Sequence, residues 1–237
     1  MVPVTLSPLM APAIQLRSAV SVAGRFPVLA GVDLALDAGK ICVVLGSNGA
    51  GKTSLLKLLA GLVPLASGEA EVLGFDVGRD ARGLRRQVGL LGHDVGLYDE
   101  LLPEENLRFA LRAARVDPSS AGAALERAGI TGRVASTPLG SLSAGQRRRV
   151  GLALLVARRP RLWLLDEPHA SLDLATRALV GELIEEAARG GATVVATSHE
   201  PELSVPLADV VVTMAGGAVV ANELGGRSQR REAPDVA

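Results

Sequence analysis

Nine consecutive residues constrain this chain more than anything else in it: Gly46, Ser47, Asn48, Gly49, Ala50, Gly51, Lys52, Thr53 and Ser54. They match the phosphate-binding loop, in which spaced glycines precede a lysine and a hydroxyl residue. Their setting matters as much as their identity. The apolar run Ile41 to Leu45 precedes them, and Thr53 to Leu62 follows, with Leu55, Leu56, Leu58, Leu59 and Leu62 on one broad helical face. A strand, a glycine turn and a helix in that order aim backbone N–H groups and the positive helix end at an anion. Lys52 adds a point charge, Thr53 a hydroxyl able to ligate Mg²⁺ beside the β- and γ-phosphates, and Ser54 a contact near the α-phosphate.

A second motif supplies acids. Leu162, Trp163, Leu164 and Leu165 form a buried-strand pattern that ends in Asp166 and Glu167. Asp166 is expected to hold the metal through water, and Glu167 to polarise the water that attacks the γ-phosphate. A third motif, Leu142, Ser143, Ala144, Gly145 and Gln146, opens a helix that runs to Pro160. It is expected to leave amide hydrogens and a hydroxyl free to meet an anion. His199 follows the strand Thr193 to Ala196, where it can bond a γ-phosphate and orient water beside Glu167.

The pattern along the chain reads as α/β. Ile14 to Leu36 suggests a small N-terminal antiparallel sheet, and Gly68 to Gly92 strand-like pieces broken by glycines. Helices are expected from Pro103, from Ser119 or Ser120 to Ala128, and after Ser143. The strands Leu162 to Leu165, Thr193 to Ala196 and Val210 to Met214 alternate with a helix from Leu174 to Arg189, which implies a mostly parallel core sheet. The expected organisation is one P-loop NTPase domain over 14–222, with a helical subdomain inserted at about 94–160. Segments 1–12 and 225–237 are expected to be mobile tails.

Composition narrows the function. A chain of 237 residues with 48% hydrophobic content can bury a core without disulfides, and its single cysteine, Cys42, sits in an apolar run. Lys and Arg number 25, as do Asp and Glu, so no net field favours nucleic acid or anionic lipid. Arg147, Arg148, Arg149, Arg158, Arg159 and Arg161 are expected to form a solvated helix face rather than a nucleic-acid surface. No signal peptide or membrane span is read from the sequence, so attachment to a membrane is expected through partners.

Leu142 to Gln146 resembles the LSGGQ signature of ATP-binding cassette proteins, and it lies between the phosphate loop and the Asp-Glu strand, as in that family. The resemblance runs from about Ile14 to about Val220. It implies ATP and Mg²⁺ as cofactors, Ser171, Leu172 and Asp173 as a D-loop, and His199 as a switch histidine. It further implies two cassettes meeting head to tail, as a homodimer or with a paired cassette. ATP on the Lys52 loop of one would be closed by Ser143 and Gly145 of the other. Integral-membrane transporter subunits would be the partners, at the cytoplasmic face of the cell membrane.

Two positions depart from the family pattern. His93 stands where a glutamine usually touches Mg²⁺ and the transporter. The usual adenine-stacking aromatic is replaced by Val22 and Ala23, leaving Phe26 as a substitute or a core residue. The stretch from Gly89 to Tyr98, with Glu105 to Phe109 and the string Leu162 to His169, is similar to haem-exporter or cytochrome c maturation ATP-binding subunits. His93, His169 and His199 all fall in loops expected near nucleotide, so none is read as a haem or metal ligand. The alternatives are an exporter motor for another cargo, such as a drug, lipid or peptide, and a non-transport cassette ATPase acting on DNA or ribosomes.

Overall fold

The computed structural model describes residues 12–92, 96–170 and 172–232. Two apolar-alternating strands, β1 (Ile14–Ala23) and β2 (Phe26–Leu36), pair antiparallel. β3 (Ile41–Leu45) is almost wholly buried and leads through the glycine loop into α1 (Lys52–Leu59). The helix stops short of Leu62 because Gly61, at φ +64°, reverses the chain. The Leu62 N–H then bonds the Lys57 carbonyl and the Gly61 N–H that of Leu58, a Schellman end.

β4 (Ser67–Val72) and β5 (Phe75–Asp76) complete the N-terminal sheet, ordered β2-β1-β4-β5. The extended reading of the next stretch is corrected: Ala81–Gln87 is a helix, α2, capped by Asp80, whose carboxylate accepts from the Gly83 N–H at 2.9 Å. Only Leu84 of this helix is buried, so no apolar periodicity announced it. β6 (Val88–Leu91) follows.

Four helices then gather around their own apolar cluster: α3 (Pro103–Ala113), α4 (Ala121–Arg127), α5 (Gly132–Ala135) and α6 (Ala144–Arg158). Leu107, Leu111, Leu125, Leu139 and Val150 are its buried centre. The arginines of α6 are not the solvated face expected. Arg148 is buried, and Arg158 donates to the carbonyls of Val88, Arg86 and Arg85, fastening the end of α6 to β6. A long guanidinium stem crosses apolar surface while its head finds backbone acceptors, which an exposed-face reading ignores.

The chain returns through β7 (Leu162–Leu165), α7 (Leu174–Arg189), β8 (Thr193–Ser198), α8 (Pro201–Ser204), β9 (Val210–Ala215) and β10 (Ala218–Leu224). The second sheet is ordered β10-β9-β3-β8-β7-β6, parallel except for β10. The carboxyl ends of β3, β8 and β7 therefore lie side by side, where ligands sit in open α/β sheets. Cys42, inside β3, is fully buried, and burial pushes its thiol up to about 12.

Within the expected tail beyond residue 225, residues 226–232 form α9 (Gly226–Glu232). Asp209, wholly buried at the start of β9, explains it. Its carboxylate accepts from Arg227 Nη1 at 2.6 Å and from the Ile41 N–H at 2.9 Å, with Lys40 Nζ at 3.6 Å. A composition-based reading of the tail misses this because its anchor lies in a different element. Removing one partner of so buried a carboxylate is costly. Arg227→Ala is expected to cost about 2 kcal/mol and lower Tm by about 4–8 °C in a thermal melt.

Candidate nucleotide site

The glycine loop bends tightly against the last strands. Gly46 has φ +148°, and a Cβ there would lie 2.5 Å from the Met214 carbonyl oxygen, so no other residue fits without moving β9. Gly51, at φ +103°, backs onto the Val28 carbonyl and Gly217. Lys52 is buried and its Nζ donates to the carbonyls of Gly46 at 2.6 Å and Ser47 at 3.1 Å, which holds the ammonium inside the curve of the loop. An open cleft of about 530 Å³ lies over this loop. Residues Ser47 to Ser54 line it with Pro27, Val28, Gly216, Gly217 and Glu167. Thus the loop and the second acid of the Asp-Glu pair share one space.

Asp166 is held from two sides. Thr53 Oγ1 donates to its Oδ2 at 2.8 Å, and Thr197 Oγ1, from β8, donates to its Oδ1 at 2.7 Å. The Thr197 oxygen also accepts from the Glu167 N–H at 2.9 Å. Thr197 was missed in the sequence, although its place just before Ser198 and His199 on a buried strand was visible there. Glu167 has φ +50°, a left-handed conformation costing about 1–2 kcal/mol for a residue with a side chain. Its Oε1 lies 3.2 Å from His199 Nδ1, while His199 Nε2 is 3.7 Å from Glu200, which Arg177 holds at 2.9 Å. Arg177 Nε donates to the Leu172 carbonyl at 3.0 Å, so the segment before α7 is joined to the histidine through side chains. Glu200 and Arg177 were likewise absent from the sequence reading, since ion pairs across 23 residues leave no local pattern.

The helix tip at Leu142 to Gln146 is a capping box. Ser143 Oγ accepts from the Gln146 N–H at 3.2 Å, and Gln146 Oε1 accepts from the Ser143 N–H at 2.9 Å. The expectation of a freely available tip is therefore narrowed: those two amides are spent on the cap, and the Ser143 O–H remains a donor. Leu142 is buried in the helical cluster, while Ser143 and Ala144 are exposed. None of these five residues lines the cleft over the glycine loop of the same chain.

Asp173 caps α7, accepting from the Thr176 N–H at 2.8 Å, and this bond holds its carboxyl below the usual range. His169 does not join the cleft. It is buried in a small cavity with Ile41, Val43, Ile184, Ala196 and Leu207, and burial lowers its pKa, with Arg177 adding to the effect. The sequence placed it near nucleotide because it lies in the right loop, but a packed imidazole follows the apolar side of that loop. His93 and Ser171 lie outside the described residues. Phe26 is 77% exposed, which removes the core alternative for it.

A glycine loop with a buried lysine, an Asp-Glu strand end and a separate serine-capped helix on an inserted helical layer define a P-loop ATPase of the cassette type. Residues 29–170 match the family model described as ABC transporter. Among curated relatives, the cytochrome c biogenesis ATP-binding export protein CcmA of Cupriavidus necator is 44% identical over 75% of this chain and 78% of its own length. That of Methylococcus capsulatus is 41% identical over 73% and 84%. Among solved structures, the dimeric post-hydrolysis state of the ATP-binding cassette MJ0796 bound to ADP and Pi superposes with a TM-score of 0.82. It is 22% identical and covers 89% of this chain and 98% of its own. The chain belongs to the ABC transporter family and is an ATP-binding subunit with ATPase activity. Among the described residues no helix is long and apolar enough to cross a membrane.

Lys52→Ala removes the only side-chain cation lining the cleft among the described residues. ATP affinity is expected to fall by about 10- to 100-fold, read by equilibrium binding of a fluorescent ATP analogue.

Proposed function

We propose that two copies of this chain, or one copy and a paired cassette, hydrolyse ATP at shared sites. This would drive an exporter of the haem or cytochrome c biogenesis type, whose membrane-spanning subunits are separate proteins at the cytoplasmic face of the membrane. One observation carries the shared-site reading. Glu167 and the Lys52 loop line one cleft, while the serine-capped helix tip of the same chain is exposed and lines no part of it. A tip that offers donors at the start of a fifteen-residue helix, yet contributes nothing to its own cleft, fits the phosphates of a second copy. The names of the relatives support the cargo class. The exposed aromatic pair Tyr98 and Phe109, with ring centroids 5.2 Å apart, offers the membrane subunits an apolar foothold.

In this reading the domain spans 14–222, and its helical part at about 94–160 carries the tip. The backbone from Gly46 to Gly51 holds the phosphates, with Lys52 pairing their charge. Thr53 and Asp166 suit Mg²⁺: both are hard oxygen donors, 2.8 Å apart, and no cluster of three His, Cys, Asp or Glu among the described residues offers an all-protein cage. Thr53 would hold the ion directly and Asp166 through water, and the ion would supply positive charge against the phosphates. Glu167 takes a proton from water as the water oxygen bonds the γ-phosphorus and the β–γ bridging bond breaks to release ADP. His199, 3.2 Å from Glu167, orients that water and the γ-phosphate.

Glu167→Gln is expected to keep ATP binding, lower kcat by about 100-fold or more, and yield an ATP-bound dimer on size-exclusion chromatography. Hydrolysis at the parent rate would remove Glu167 from its role, and a strictly monomeric ATP complex would remove the shared site. Purification from native membranes is expected to bring integral-membrane subunits with the chain. Recovery instead with DNA or ribosomes would favour a non-transport cassette.

A further inference from the structure

We propose that Arg148 is a positioning residue that fixes the Glu167 peptide in its left-handed turn and thereby ties the helix tip of each chain to the catalytic base of that same chain. The inference rests on the assignment of Glu167 above. Arg148 lies five residues beyond Ser143 on α6, yet its head leaves the helical layer altogether. Nη1 donates to the carbonyl of Asp166 at 3.0 Å and to the carbonyl of Glu167. The residue is only 9% exposed, so a charged head has been taken from water and satisfied by backbone acceptors. Burial lowers the guanidinium below its ordinary value, and the nearby Asp166 and Glu167 act in the opposite sense.

Glu167 needs such support. A residue with a side chain persists at φ +50° only where its surroundings determine both of its peptides. On the amide side, Thr197 Oγ1 accepts the Glu167 N–H. On the carbonyl side, the Glu167 oxygen accepts from the Ala170 N–H at 3.1 Å, a bond local to the turn, and from Arg148. Arg148 is thus the long-range partner of that carbonyl. Thr197 anchors the turn to β8, whereas Arg148 anchors it to the helix whose first residues are exposed and, in the proposed shared site, meet a neighbouring chain. A rigid helix carries both Ser143 and Arg148, so closing the tip on one triphosphate bears on the base that serves the other.

The test uses the full chain with Arg148→Met, which keeps the length and apolar stem but no donor, and Arg148→Lys, which restores a cationic donor. Folding is checked by circular dichroism and thermal melting. The expected result is a fall in kcat of about tenfold or more in Arg148→Met, with ATP Kd within about threefold of the parent and part of kcat regained in Arg148→Lys. In a Glu167→Gln background, adding Arg148→Met is expected to leave the residual single-turnover rate unchanged, because the residue it positions is already gone. A kcat within twofold of the parent in folded Arg148→Met overturns the proposal. So does an equal loss of ATP affinity, or a further fall in the Glu167→Gln background. Should the methionine variant not fold, Arg148→Leu, which likewise has no donor, takes its place with the same thresholds. Parent-rate hydrolysis by Glu167→Gln alone would instead overturn the assignment of the base.

Discussion

Three parallel strands end together in this protein, and the chemistry follows from that alignment. β3 runs into the glycine loop, β7 into Asp166 and Glu167, and β8, lying between them, into Thr197 and His199. Because β8 is the shared neighbour, one threonine hydroxyl can bond the carboxylate of Asp166 and the amide of Glu167 at once. The acids are thus oriented by the sheet rather than by mobile loops, which keeps reorganisation at the moment of reaction small. The glycine loop is held to the same frame by close backbone approach, since Gly46 leaves no room for a side chain against Met214.

The helical layer has a different character. Its apolar cluster is separate from the one beneath the glycine loop, and its ties to the sheet include discrete arginine contacts. Arg158 grips the carbonyls at the start of β6, and Arg148 grips those of the Asp-Glu turn. Packing between two apolar faces can slide, whereas a guanidinium seated on carbonyl oxygens has one good geometry. A layer fastened in this way suits the transmission of movement between a nucleotide and a distant surface.

How much of this was legible in the sequence depended on the range of the interaction. The glycine loop, the Asp-Glu strand end and the helix at Leu174–Arg189 announce themselves because each is specified by neighbours within a turn or a strand. The family resemblance rested on another local string, Leu142 to Gln146, lying between the first two. What escaped was set by partners far along the chain. Arg148 read as solvated because its carbonyl acceptors lie on another element, and α9 read as a loose tail because Asp209 is 18 residues away from Arg227. His169 escaped for a related reason: a loop can be placed by motif, while the side on which each of its rings packs is settled by the surrounding apolar surface. The tip at Leu142 to Gln146 was legible as a helix start, but the reciprocal bonds of Ser143 and Gln146 leave fewer amides free than the string alone suggests.

Asp209 gives the end of the chain a reach that its composition hides. The carboxylate that docks α9 also receives the first amide of β3, and that five-residue strand runs straight into the glycine loop. Anyone trimming the protein at its glycine pair, or fusing a reporter in place of α9, would loosen the root of the strand that carries the glycine loop. Altered turnover in such a fusion would then belong to the engineering rather than to the motor.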